Sequence, residues 1–182
     1  MDYPGRRMIL RLTRLTRLTR LALVPLAACA ALVSAAPAPA PGQARSFDAV
    51  AFFTGSTSGE GKLKKMFSAA QAVRVTGRGR VEGGVLVLDQ SVSITGEPKR
   101  ERPWRLRADA PGRWSGSLSD ARGPVLASAA GAVLTIAYTS NDGMGVTQTV
   151  TLAPDGRSAR NLMKIRKLGM TVATIDETIT RD

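Results

Sequence analysis

The chain has 182 residues, 26 Lys+Arg against 14 Asp+Glu, a formal net charge of +12 and no histidine; its single cysteine is Cys29. These counts exclude zinc sites built on imidazole or thiolate, Ser-His-Asp and Cys-His catalysis, and any disulfide within the chain. No catalytic residue, metal ligand or cofactor site is therefore expected, and carboxylate, lysine, tyrosine or serine chemistry is all that an enzyme could use.

The first predicted element is an export signal over residues 1–44. Arg6, Arg7, Arg11, Arg14, Arg17 and Arg20 precede an apolar run over residues 21–33, and small residues and prolines follow to residue 44. A basic region, an apolar region and a small-residue cleavage zone make a secretory signal peptide of bacterial type, which places the protein in the periplasm. The run falls short of the roughly 18–20 residues that span a bilayer. Two exits stay open. Cleavage after Ala35 or Ala44 frees the domain, whereas Leu26-Ala27-Ala28-Cys29 reads as a lipobox whose lipidated Cys29 would make a membrane-anchored lipoprotein. The arginine-leucine-threonine repeat over residues 11–20 also leaves Met1 and Met8 as alternative starts.

Residues 45–182 form one domain by length, large enough for a core without staples. They carry 20 Lys+Arg against 13 Asp+Glu, a net charge of about +7. Arg74, Arg78 and Arg80, and then Arg105 and Arg107, recur at strand spacing on what the pattern makes solvent faces. Such a surface suits anionic lipid or polysaccharide. Nucleic acid is not an expected partner, because no aromatic residues interleave with the basic ones.

Turn signals then recur about every ten residues: Glu82-Gly83-Gly84, Thr95-Gly96-Glu97-Pro98, Asp109-Ala110-Pro111-Gly112, Asn141-Asp142-Gly143 and Pro154-Asp155-Gly156. Between them the side chains alternate with period two. Val73, Val75, Gly77, Gly79 and Val81 share one face, and Trp104, Leu106 and Ala108 another. Leu134, Ile136 and Tyr138 share the face of a later strand. Residues 62–72 fit a strand, a helical turn, or a strand followed by a loop. Pro103 points to an edge or a bulge. No stretch carries a helical apolar stripe of useful length. The pattern predicts an all-β fold, an antiparallel meander closed into a barrel of about 8–10 strands.

The order of motifs has a family likeness. Phe52-Phe53-Thr54-Gly55, Gly59-Glu60-Gly61, the Trp104 strand, the segment over residues 112–120, Gly131, Tyr138, Asn161 and Lys167-Leu168-Gly169-Met170-Thr171-Val172-Ala173 follow in sequence. This series resembles DUF3833, a bacterial family of unknown function whose members look like small lipocalin-like envelope proteins. The resemblance implies a lipocalin-like (calycin-type) barrel over essentially the whole domain, and it implies no catalytic residues.

Among the carboxylates, Asp89, Asp120 and Glu177 sit in the most apolar or small-residue surroundings. A close pair of them would be an acid/base dyad, and otherwise they are turn or rim residues. Gly59-Glu60-Gly61 and Gly77-Arg78-Gly79 read as bends or bulges rather than phosphate cradles. Trp104, Trp114, Tyr138, Phe52, Phe53 and Phe67 fill a core. If the barrel holds a lumen, some of them line it with Met163, Ile165 and Met170. Asn161 lies in an apolar strand, and an inward Asn161 would need hydrogen-bond partners, a ligand's polar head among them. The candidate ligand-binding set is thus Trp104, Trp114, Tyr138, Asn161 and Met163. The expected function is binding of a small apolar or lipidic ligand in the cell envelope, with membrane association through a lipidated Cys29 or the basic surface. The alternative is a structural or assembly factor that uses its basic outer surface and takes no ligand.

Overall fold

A computed structural model of the chain describes residues 46–182. The export signal expected over residues 1–44, with its expected cleavage sites, Met8 and Cys29, lies outside the described residues. The chain first makes a helix that alternation could not foresee, α1 (Ala49–Phe53), five residues long and too short for an apolar stripe. Asp48 caps it, its carboxylate accepting from the Ala51 N–H at 3.0 Å. Phe47, Phe52 and Phe53 pack together with ring centroids 5.0–6.3 Å apart, all buried.

Ten strands follow: β1 (Gly55–Lys65), β2 (Gln71–Glu82), β3 (Val85–Ile94), β4 (Arg100–Ala110), β5 (Arg113–Leu118), β6 (Val125–Ala130), β7 (Val133–Thr139), β8 (Gly145–Leu152), β9 (Ser158–Lys167) and β10 (Met170–Arg181). Each pairs antiparallel with its sequence neighbour, and β10 returns to pair with β1, so the sheet is a closed barrel. The fold is therefore the all-β antiparallel meander closed into a barrel that the alternation predicted, with ten strands. Closure leaves no exposed edge to template aggregation.

All five predicted turn clusters lie at hairpin connections. The β2–β3 connection is the two-residue loop Gly83-Gly84 with φ of 55° and 76°, a left-handed pair that only glycine adopts without strain. The connections β2–β3, β4–β5, β6–β7 and β8–β9 gather at the end that α1 closes, where Phe47 N–H donates to the Gly131 carbonyl at 2.8 Å. Connections β1–β2, β3–β4, β5–β6, β7–β8 and β9–β10 form the other end, which no described helix covers.

Of the three forms open to residues 62–72, the chain takes a strand, through Lys65, followed by a connection, with strand again from Gln71. Several other local readings resolve differently. Pro103 lies at neither a bulge nor a free edge, since it pairs with Asp89 inside β4, and the β4 register shift falls between Ala108 and Ala110. Its carbonyl accepts from Ser119 N–H at 3.2 Å, so its donor-less nitrogen faces the side on which β5 has just ended at Leu118. The two glycine pairs are not bends. A Cβ on Gly61 would collide with the Asp176 carbonyl, and one on Gly79 with the Phe53 carbonyl, so these glycines admit the β10 backbone and the end of α1. Phe67 fills no core and Met170 lines no lumen. Both sit where the chain turns beyond the barrel wall, 99% and 63% exposed. Val81 and Ala108, expected inside, are exposed where their strands pass the α1 end of the core.

Candidate functional site

Alternation puts one residue in two from each strand inside the barrel, and most of those are apolar. Leu86, Leu88, Trp104, Leu106, Trp114, Leu118, Leu134, Ile136, Val150 and Met163 form the main core with the α1 aromatics. Leu63, Val73, Val92 and Ile94 make a smaller cluster towards the uncovered end. A cavity of about 50 Å³ lies in the lumen. Its lining includes the inward polar residues Gln90, Arg102, Gln148, Asn161 and Glu177 beside Trp104 and Met163.

Those polar residues connect. Asn161, 1% exposed, donates from Nδ2 to Glu177 Oε1 at 2.8 Å and to Gln148 Oε1 at 3.2 Å. Three buried atoms of this trio complete no hydrogen bond: Gln148 Nε2, Asn161 Oδ1 and Glu177 Oε2. Burial pushes the Glu177 carboxyl above the usual glutamate range, against the hydrogen bond from Asn161 and the field of Arg102. Gly59 clears the space for this carboxyl, since a Cβ there would lie 3.3 Å from Oε2.

A second group lies across the lumen. Arg102 donates to both Asp120 oxygens, at 2.9 and 3.2 Å, and to the Tyr138 hydroxyl at 2.9 Å. Its guanidinium also lies 5.4 Å from the Trp104 ring centroid, within cation–π range. Trp104 Nε1 donates to Gln90 Oε1 at 2.6 Å, and its ring meets Tyr138 edge-on at 6.1 Å. Burial raises the Tyr138 hydroxyl, Arg102 pulls it down and the Asp120 carboxylate pushes it up. The lumen thus presents a fixed cation, a carboxyl held towards its neutral form, and two amides with spare valence. Such a set can bind a polar group of either sign.

Trp104, Asn161 and Met163 line the cavity, and Tyr138 reaches it through Arg102. Trp114 is buried in the core but does not line the cavity. Asp89, Asp120 and Glu177 do not meet: Asp89 pairs with Arg80 on the outer surface, Asp120 sits in the β5–β6 connection, and Glu177 alone faces the lumen. No dyad exists among them. Glu177 is also neither a turn nor a rim residue, as the alternative to a dyad had it. Arg102, Gln148, Gln90 and Glu177 were the residues to find by parity. Arg102 precedes Trp104 by two, Gln148 lies midway between Val146 and Val150, and Glu177 lies midway between Ile175 and Ile179.

A family model described as "Protein of unknown function (DUF3833)" matches residues 24–181. Among solved structures, the S-type phycobiliprotein lyase CPES from Guillardia theta is similar at 8% sequence identity and a TM-score of 0.57. That match covers 73% of this chain and 90% of the other. No curated protein matches the sequence.

Proposed function

The chain belongs to the DUF3833 family, and from that premise we propose that it is a non-enzymatic binding protein of the bacterial cell envelope, whose lumen takes the polar end of a small, largely apolar ligand. The observation that carries this reading is the convergence of Gln148 Nε2, Asn161 Oδ1 and Glu177 Oε2, all buried and without partners, on a cavity that Arg102 also lines. Buried polar atoms without partners are expensive in a folded interior, and a ligand's polar group would complete them. The likeness to a phycobiliprotein lyase supports a barrel of ligand-binding type, and the lyase activity stays with that protein.

The volume limits what can enter. About 50 Å³ holds a few water molecules, while drug-sized ligands occupy roughly 300–1,000 Å³. A lipidic ligand would therefore seat its head here only as the apolar side chains around the cavity move apart. The same small volume favours the second reading, a structural or assembly factor that works through its basic outer surface.

The export signal and its lipobox support an envelope location, either free in the periplasm or anchored through Cys29. Mass spectrometry of the mature N-terminus separates the two. The binding experiment is purification from the periplasm or membrane fraction, followed by extraction and identification of co-purifying small molecules. Titration with a fluorescent fatty acid then compares the protein with Asn161→Leu and Glu177→Gln variants. The reading expects a bound amphiphile and a loss of affinity of about tenfold in either variant, one hydrogen bond's worth. No co-purifying molecule, and no dye bound at micromolar protein, would leave the structural reading.

A further inference from the structure

Among the described residues six large apolar side chains are exposed, and four of them cluster: Met66, Phe67, Leu168 and Met170. Phe67 is 99% and Leu168 93% exposed. Met66 and Phe67 belong to the β1–β2 connection, Leu168 and Met170 to the β9–β10 hairpin. These are neighbours because β1 pairs with β10, and Met66 N–H donates to the Val172 carbonyl at 2.9 Å. Both therefore project from the uncovered end of the barrel.

The backbone marks the same residues. Phe67 and Leu168 are the two non-glycine residues with positive φ among those described, at 61° and 50°. Leu168-Gly169 is a two-residue hairpin loop, where asparagine, aspartate or glycine would adopt the left-handed conformation with less strain. An aliphatic side chain in that place gives up both local stability and hydration. Around the apolar tip stand Lys64, Lys164 and Lys167, exposed, and Arg166, half-buried; none of these four forms an ion pair among the described residues. Of the carboxylates at this end, Glu97 is held by Lys65 and Arg100, and Asp120 by Arg102. Glu101 pairs with Lys99, and Asp142, bonded to Ser140, feels the field of Lys167.

We propose that this end docks on an anionic phospholipid bilayer, with Phe67 and Leu168 entering the boundary between headgroups and acyl chains and the surrounding lysines meeting the phosphates. An apolar tip ringed by unpaired cations is the arrangement that such an interface takes up, and each cation near the surface adds to the attraction. The docking stands independently of whether the lumen holds a ligand.

The test uses the purified chain with Cys29→Ser throughout, so that no acyl anchor contributes, and vesicles of phosphatidylcholine with or without phosphatidylglycerol. A Phe67→Trp variant is expected to gain emission that brominated lipid quenches, and to gain it more strongly on anionic vesicles. A Phe67→Ser/Leu168→Asn variant, whose asparagine suits the turn and so preserves folding, is expected to lose at least about tenfold in the anion-dependent part of vesicle partitioning. A Lys164→Glu/Lys167→Glu variant is expected to lose that dependence on phosphatidylglycerol. Emission of the Phe67→Trp variant that brominated lipid leaves unquenched would overturn the proposal, as would equal partitioning by the Ser/Asn variant. A concentration-dependent dimer in solution that disappears in that variant would also overturn it, by assigning the tip to a second copy of the chain.

Discussion

Glu177 concentrates the unusual electrostatics of the lumen in one residue. Burial raises its native pKa, so the folded chain holds the proton to a higher pH than the unfolded chain does. Its contribution to stability is therefore complete below the ordinary glutamate pKa and is lost as pH rises through the raised native value. Urea unfolding at a series of pH values is expected to show wild type falling relative to Glu177→Gln over that window, with the two similar on the acid side. Wild type gaining on the variant with rising pH would contradict the assignment. At this scale the sequence made Asn161 visible, because an amide among apolar neighbours is conspicuous. It did not make Arg102 visible, because an arginine among Arg100, Arg105 and Arg107 looks like one more solvent-facing cation. Parity with Trp104 separates it from Arg105 and Arg107 once Pro103 is known to lie inside a strand, but Arg100 shares that parity and is exposed, so only the structure tells Arg100 and Arg102 apart.

Elements of this barrel are set by alternation, but their fit is set by glycine. Gly61 sits opposite Glu177 in the β1–β10 pair, with no room for a side chain. Gly61→Ala is expected to cost about 1–3 kcal/mol, the usual range for overpacking. Gly145→Ala, where nothing lies within 4 Å of the added carbon, should be close to neutral in the same chemical-denaturation assay. The β9–β10 hairpin predicts a change of opposite sign. Leu168→Asn relieves a left-handed leucine and is expected to stabilise by about 1 kcal/mol, seen as a Tm rise of a few degrees. Glycine pairs in a strand-rich sequence mark close approach without saying what approaches, which is why Gly59-Glu60-Gly61 read as a bend. The approaching backbone comes from β10, more than a hundred residues later in the chain.

The described residues form a barrel closed at one end by α1, and no described helix covers the other end. The three aromatics beneath that cap tie it to the core, so Phe52→Ala is expected to cost about 3–5 kcal/mol in chemical denaturation. A loss below about 1 kcal/mol would show that the cap is not part of the cooperative unit. The sequence by itself determined most of the strands, the five glycine- or proline-marked hairpins and the closed meander, and it singled out Asn161 as a polar residue in an apolar strand. Each of these follows from period-two patterning and from φ preferences that act over a few residues. Tertiary structure alone decided which polar residues share the lumen, how little space remains among them, and which apolar residues stay outside. Phe67 and Leu168 have the composition of core residues, and the sequence read Phe67 as one. Their exposure arises because β1–β2 and β9–β10 turn beyond the barrel wall, side by side, once β10 has returned to β1. Hydrophobicity is a property of the residue, whereas burial depends on where ring closure places the ends of distant strands.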